Sequence, residues 1–160
     1  MAMRVRMKSI AVTAGVGILV AMVAVVQAQR PAAPTMEVYK SPTCGCCSKW
    51  VEHVRQAGFT VKVTEMEDQA LTAFKTKQGV PGTAQSCHTA LIGGYVVEGH
   101  VPAAEIGRML KEKPAIQGIA VGGMPTGSPG MEVAGRPPQP YNVVTFDKQG
   151  AVKVYSTQNR

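Results

Sequence analysis

Thr43-Cys44-Gly45-Cys46-Cys47 places three thiols within four residues, and Cys87 brings the cysteine count to four. Cys44 and Cys47 have C-x-x-C spacing and fall where a helix is expected to begin. Free backbone N–H groups and the positive end of the helix dipole favour thiolate over thiol at such a position. A dithiol switch needs only two sulfurs, so Cys46 between them requires another explanation. Three thiolates joined by Cys87 from across the fold can wrap a soft cation, with Gly45 letting the backbone bend so that the sulfurs converge. Sulfur donors select Cu(I), Zn(II) or iron–sulfur clusters. C-x-C-C lacks the paired knuckles of structural zinc and the spacing of ferredoxins, which favours copper. Four thiolates neutralise up to four Cu(I) ions, so a multinuclear centre is electrostatically reasonable. The ordinary alternative for an exported chain is a pair of structural disulfides. Against it, a Cys46–Cys47 bridge would be strained and a Cys44–Cys47 bridge closes too small a loop to stabilise much.

Met124 and Met131 lie seven residues apart in a segment rich in Gly and Pro, where neighbouring side chains are too small to pack against them. Thioethers resist disulfide formation and bind Cu(I), so a loop presenting two of them suits a copper site. Met66 and Met109 are expected to fill the core instead. His100, at the entrance to a helix, adds an imidazole ligand. His88 follows Cys87 on an extended segment, where neighbours point to opposite faces, so it is expected to face away. His53, in mid-helix, is expected on the surface. The candidate metal ligands are therefore Cys44, Cys46, Cys47, Cys87, His100, Met124 and Met131. No serine–histidine–acid arrangement, phosphate loop or carboxylate pair offers a catalytic site.

The amino terminus carries Arg4, Arg6 and Lys8 without an acid, then the uncharged run Ser9 to Val26 and a small-residue exit at Ala28. That order predicts a secretory signal over 1–28. The run approaches the roughly 20 residues that span a bilayer, but Thr13, Gly15 and Gly17 dilute it, so cleavage is favoured over anchoring. Loss of the signal removes three of the 17 basic residues, leaving 14 against 10 acids and a balance of +4 instead of +7. The remaining Lys and Arg are scattered, and one Trp, four Tyr and three Phe provide no stacking platform, so nucleic acid is not an expected partner.

These residues need a scaffold. After a short Pro/Ala tether at 29–35, Met36–Lys40 alternates as a strand, and a helix is predicted from about Cys44 to Gln56, with Trp50, Val51 and Val54 on its apolar stripe. Phe59–Glu65 reads as a second strand and Asp68–Lys77 as a short helix. Thr89–Ile92 and Tyr95–Val97 flank Gly93-Gly94 as a hairpin, and Pro102 opens another helix ended by Lys113-Pro114. Recurrent Gly and Pro predict no regular structure over Gly118–Pro140. Tyr141–Phe146 and Ala151–Tyr155 form a terminal hairpin. The fold class is α/β: one domain over 36–160 with a thioredoxin-like core, a C-terminal Gly/Pro-rich loop and a β-hairpin. The cysteine turn falls outside the carboxyl end of the first strand, where α/β sheets usually place their sites.

Thr43–Cys47 with Trp50, Ser86–Ala90, Gly94–Pro102 and Gly123–Glu132 resemble the DUF411 family. The resemblance implies a periplasmic copper-binding protein of the CopG type with a thioredoxin-like fold, acting in copper resistance. Together with the ligand chemistry, it favours a metal-binding protein over a conventional enzyme, one that would sequester, transfer or handle the redox state of Cu(I). Its partners would be copper ions and other periplasmic copper-handling proteins, without stable membrane insertion after cleavage. The rival reading is a thiol–disulfide oxidoreductase in which Cys44 attacks and Cys47 resolves.

Overall fold

A computed structural model describes residues 34–160. The expected signal segment at 1–28 and the start of the tether lie outside the described residues. Three helices and one mixed seven-stranded sheet make up the described chain. The strands are β1 (Met36–Lys40), β2 (Val61–Glu65), β3 (His88–Ile92), β4 (Tyr95–Glu98), β5 (Gly118–Ala120), β6 (Tyr141–Phe146) and β7 (Val152–Gln158). The helices are α1 (Gly45–Gln56), α2 (Asp68–Lys77) and α3 (Ala103–Glu112). The sheet order is β2-β1-β3-β4-β5-β6-β7. β1 pairs parallel with β2 and β4 with β5, while the other pairs are antiparallel. No helix among the described residues is long and apolar enough to cross a membrane.

Strand alternation sorts the central residues onto two faces. Ala90, Ile92, Val97 and Ile119 pack with Trp50, Val51 and Val54 of α1 and with Ile106 and Met109 of α3. Val96, Ala120 and Phe146 form a second cluster with Val80 and Ala84. The stripe on α1 is Cys47, Trp50, Val51 and Val54, the i, i+3, i+4, i+7 spacing of one helical face. Periodicity alone therefore carries Cys47 inward. Met109 is buried as expected, but Met66 is only half-buried. Arg108 of α3 lies 3.6 Å from the Tyr155 ring centroid, and the Tyr155 hydroxyl donates to Glu112 at 3.0 Å, joining the terminal hairpin to the helix layer.

The expectation of no regular structure from Gly118 onward is corrected by β5, which inserts Gly118–Ala120 between β4 and β6. Glycine at the start of that strand is a packing requirement. A β-carbon on Gly118 would overlap the Val96 carbonyl and come within 2.8 Å of the Phe146 ring. Residues 121–140 do lack helix and strand. Gly118→Ala is accordingly expected to destabilise the protein by about 1–3 kcal/mol, the usual range for overpacking. Urea unfolding would measure it, and an unchanged midpoint would contradict the close packing.

Candidate metal centre

The cysteine turn is held from both sides. The buried Lys40 ammonium donates to the Ser41 carbonyl at 2.9 Å and pairs with Glu65 at 3.3 Å, and the Cys44 N–H closes a turn onto the Ser41 carbonyl. Cys44 is the N-cap of α1, where its Sγ accepts the Cys47 N–H at 3.3 Å. No acidic residue occupies the first helical turn, so nothing there opposes negative charge on sulfur. Cys46 is half-buried, with its Sγ 3.6 Å from that of Cys44, and Cys47 is fully buried.

Cys87 arrives from the opposite side, at a bend just before β3. The Sγ atoms of Cys44, Cys46, Cys47 and Cys87 all lie within 4.8 Å of one another, and Cys87 forms a second cluster with His88 and His100. The Cys87 Sγ is 3.0 Å from His100 Nε2 and 3.4 Å from His88 Nδ1. His100 Nδ1 donates to the Pro129 carbonyl at 2.8 Å. That bond fixes the tautomer and turns the Nε2 lone pair toward the sulfur, the usual arrangement of a metal-ligating imidazole. Burial, the nearby Cys46 sulfur and its hydrogen bond push the Cys87 thiol up to about 12, against donation from the Ser86 hydroxyl. Uptake of a cation by Cys87 therefore releases a proton.

Two sequence expectations about histidine are corrected. His88 is fully buried beside the site, its ring 4.3 Å from Trp50 and 5.1 Å from His100. Pleat alternation does not apply because Cys87 is not in the strand: β3 begins at His88, and the bend lets consecutive side chains meet. His88 Nε2 is buried without a hydrogen-bond partner among the described residues. Burial first, then His100 and Lys75, holds this imidazole well below its ordinary range. His53 is no free surface residue either. Its Nε2 accepts the Ala103 N–H at 3.1 Å and so caps α3.

The methionines divide. Gly130, at φ 84°, seats the loop against the first turn of α1, where a β-carbon would come within 2.8 Å of both the Cys46 carbonyl and the Trp50 nitrogen. Met131 follows this contact and is half-buried. Met124 follows Gly123, whose carbonyl accepts the Ser86 hydroxyl, but its side chain is 53% exposed. Both are tethered in backbone next to residues of the cysteine site. A cavity of about 330 Å³ opens beside Cys44 and Cys87, walled by Ser41, Thr43, Lys75 and Ser86 among others.

Cys44 and Cys47 form a disulfide, leaving Cys46 and Cys87 as free thiols. The small-loop bridge that the sequence argument discounted is thus present. In this state two of the expected sulfur ligands are occupied with each other. After reduction, the donor set of four thiols and two inward imidazoles fits a soft cation or several bridged ones. Two sulfur-to-metal bonds of about 2.3 Å reach across at most about 4.6 Å, close to the 4.8 Å within which the four Sγ atoms lie. Sequence reasoning missed Glu98, which supports Cys87 from behind. The available signal was a carboxylate ending the otherwise apolar strand Tyr95-Val96-Val97-Glu98.

Burial, opposed by the charge of Glu132, lowers the affinity of His53 for a proton. A histidine depressed in the folded state binds fewer protons there than when unfolded, so stability is full above its ordinary value of 6.5 and is lost as pH falls below it. Burial depresses His88 and His100 in the same direction. The oxidised protein should weaken in urea between about pH 7 and pH 5, and His53→Gln should show a shallower decline because it keeps an acceptor but cannot titrate. Identical slopes for the two proteins would refute the capping role of the neutral ring.

The family described as "Protein of unknown function, DUF411" matches residues 84–131, which contain Cys87, both inward histidines, Glu98 and the methionine loop. No curated protein matches the chain. Two solved structures are similar. "Copper resistance protein copG- Form 2" is 40% identical, with a TM-score of 0.71 over 78% of this chain and 98% of its own. "Copper resistance protein copG- Form 1" is 39% identical, with a TM-score of 0.72 over 80% and 99%. Identity at that level over nearly the whole length of those structures is family membership, and the chain belongs to the DUF411 family of CopG-type proteins.

Proposed function

We propose that this protein binds Cu(I) and serves copper resistance by sequestering the ion, passing it on or handling its redox state. The observation that carries this reading is the gathering of the Cys44, Cys46, Cys47 and Cys87 sulfurs within 4.8 Å of one another. Three of those sulfurs belong to one helix turn and the fourth to a segment some forty residues away, a convergence that a simple dithiol would not require. Reduction of the Cys44–Cys47 bridge by an external dithiol, which leaves as its own disulfide, frees the full set. Each cysteine then exchanges its thiol proton for a bond to copper. Cys44, Cys46, Cys47 and Cys87 are the primary ligands of the proposal, with His100, Met124 and Met131 as secondary ones. His88 joins them as a candidate because its Nδ1 lies 3.4 Å from the Cys87 Sγ, within the Cys87–His88–His100 cluster. The names of the two similar structures support copper as the ion.

Export rests on the composition of residues 1–28 and puts the site in the periplasm. The order β2-β1-β3-β4, with β1 parallel to β2 and antiparallel to β3, supports a thioredoxin-like core. That core also favours a second reading. Cys44 at a helix N-cap, bridged to a fully buried Cys47, is the arrangement of an attacking and a resolving thiol.

Anaerobic titration of the reduced protein with Cu(I), against a chromophoric chelator, separates the two. Cys46→Ser and Cys87→Ser should each weaken copper retention by at least about tenfold, comparable to or exceeding the loss of an outer-shell partner. Negligible copper uptake by the wild type, alongside insulin reduction that survives Cys46→Ser, would sink the copper reading in favour of the oxidoreductase.

A further inference from the structure

Behind Cys87, on the sheet face away from Trp50, sits a charged group that the ligand set does not use. Glu98 ends β4 with no exposed surface. Its Oε1 accepts the Ser86 N–H and the Lys75 ammonium, each at 2.7 Å, and its Oε2 accepts the Thr89 hydroxyl at 2.6 Å. Lys75, on α2, is 4% exposed and also donates to the Thr89 hydroxyl at 3.0 Å. A buried ion pair is a poor device for stability alone, because apolar residues of similar size often serve as well. What an apolar pair could not do is receive the Ser86 N–H. Ser86 lies outside regular structure, immediately before Cys87, and its own hydroxyl donates to the Gly123 carbonyl next to Met124. One residue thus ties the Cys87 bend and the methionine segment to the carboxylate.

We propose that Glu98, held in place by Lys75, is a positioning residue for the metal centre: it fixes the Ser86–Cys87 backbone so that the Cys87 sulfur meets the other three cysteines and His100. The inference rests on the copper-binding reading above. A ligand presented on a mobile bend would lose part of its binding free energy to ordering, and the tether removes that loss. A merely structural Glu98 would instead affect all ligands alike.

The test replaces both charges together, so that no buried charge is left alone. Lys75→Met/Glu98→Gln retains an amide oxygen able to accept the Ser86 N–H, whereas Lys75→Met/Glu98→Leu removes the acceptor. Cu(I) affinity of the reduced proteins is measured by chelator competition without air, each pair with and without Cys87→Ser. The leucine pair should bind about 10- to 100-fold more weakly than wild type, and the glutamine pair should recover most of that loss. In the Cys87→Ser background the difference between them should vanish, because Glu98 acts through Cys87. Equal affinities for the two pairs, or a loss of the same size without Cys87, would overturn the proposal. Should the leucine pair fail to fold, amide exchange in the reduced wild type decides: Ser86 should exchange at least about 100-fold more slowly than exposed loop amides, and free exchange overturns the tether. A wild type that takes up no copper would remove the copper reading itself, and this inference with it.

Discussion

A carboxylate without access to water must find donors inside the protein, and Glu98 finds them on three separate segments. Ser86, Lys75 and Thr89 all donate to it, so the bend before β3, helix α2 and strand β3 meet around one group. Burial raises the proton affinity of this carboxyl, and the Lys75 ammonium is the main force opposing that rise. The arrangement is costly if any donor is missing and firm when all are present. It is the constraint that gives Cys87 a defined place relative to a helix turn forty residues earlier.

On the other face the organising contact is Trp50. Its indole N–H donates to the Val101 carbonyl at 2.8 Å, and its ring lies against His88, while its backbone nitrogen is the surface on which Gly130 rests. One residue of α1, by its ring and its backbone, thus relates the cysteine helix, the histidine strand and the Gly/Pro loop. His100 is then oriented by that same loop through Pro129. The sulfur cluster sits between two supports of different chemistry: an apolar aromatic on one side and a buried ionic network on the other.

The helix end that favours thiolate serves two chemistries. A thiolate at the Cys44 N-cap can attack a disulfide or bind a soft ion, and while the Cys44–Cys47 bridge is closed it does neither. The state of that bridge therefore governs how many sulfurs are free. Cys46 lies outside the bridge, within reach of Cys44, which is the feature that distinguishes this turn from a two-sulfur switch.

Local chemistry was legible in the residues themselves. The C-x-C-C turn, its place at a helix start, the inward stripe through Trp50 and the Gly93-Gly94 hairpin all follow from short-range periodicity and turn preference, and they appear where those rules put them. Three things were not legible. Gly118 read as a breaker but begins a strand, because the neighbouring Val96 carbonyl and Phe146 ring leave no room for a side chain. His88 was assigned to the wrong side because pleat alternation holds only within a strand, and Cys87 lies just outside one. Glu98 carried no local hint of the donors it would meet on α2 and β3. For Gly118 and Glu98 the deciding partners lie elsewhere in the chain, and for His88 the deciding fact is where the strand begins. Spacing along a sequence specifies which atoms can act, but the approach of remote segments decides which of them touch.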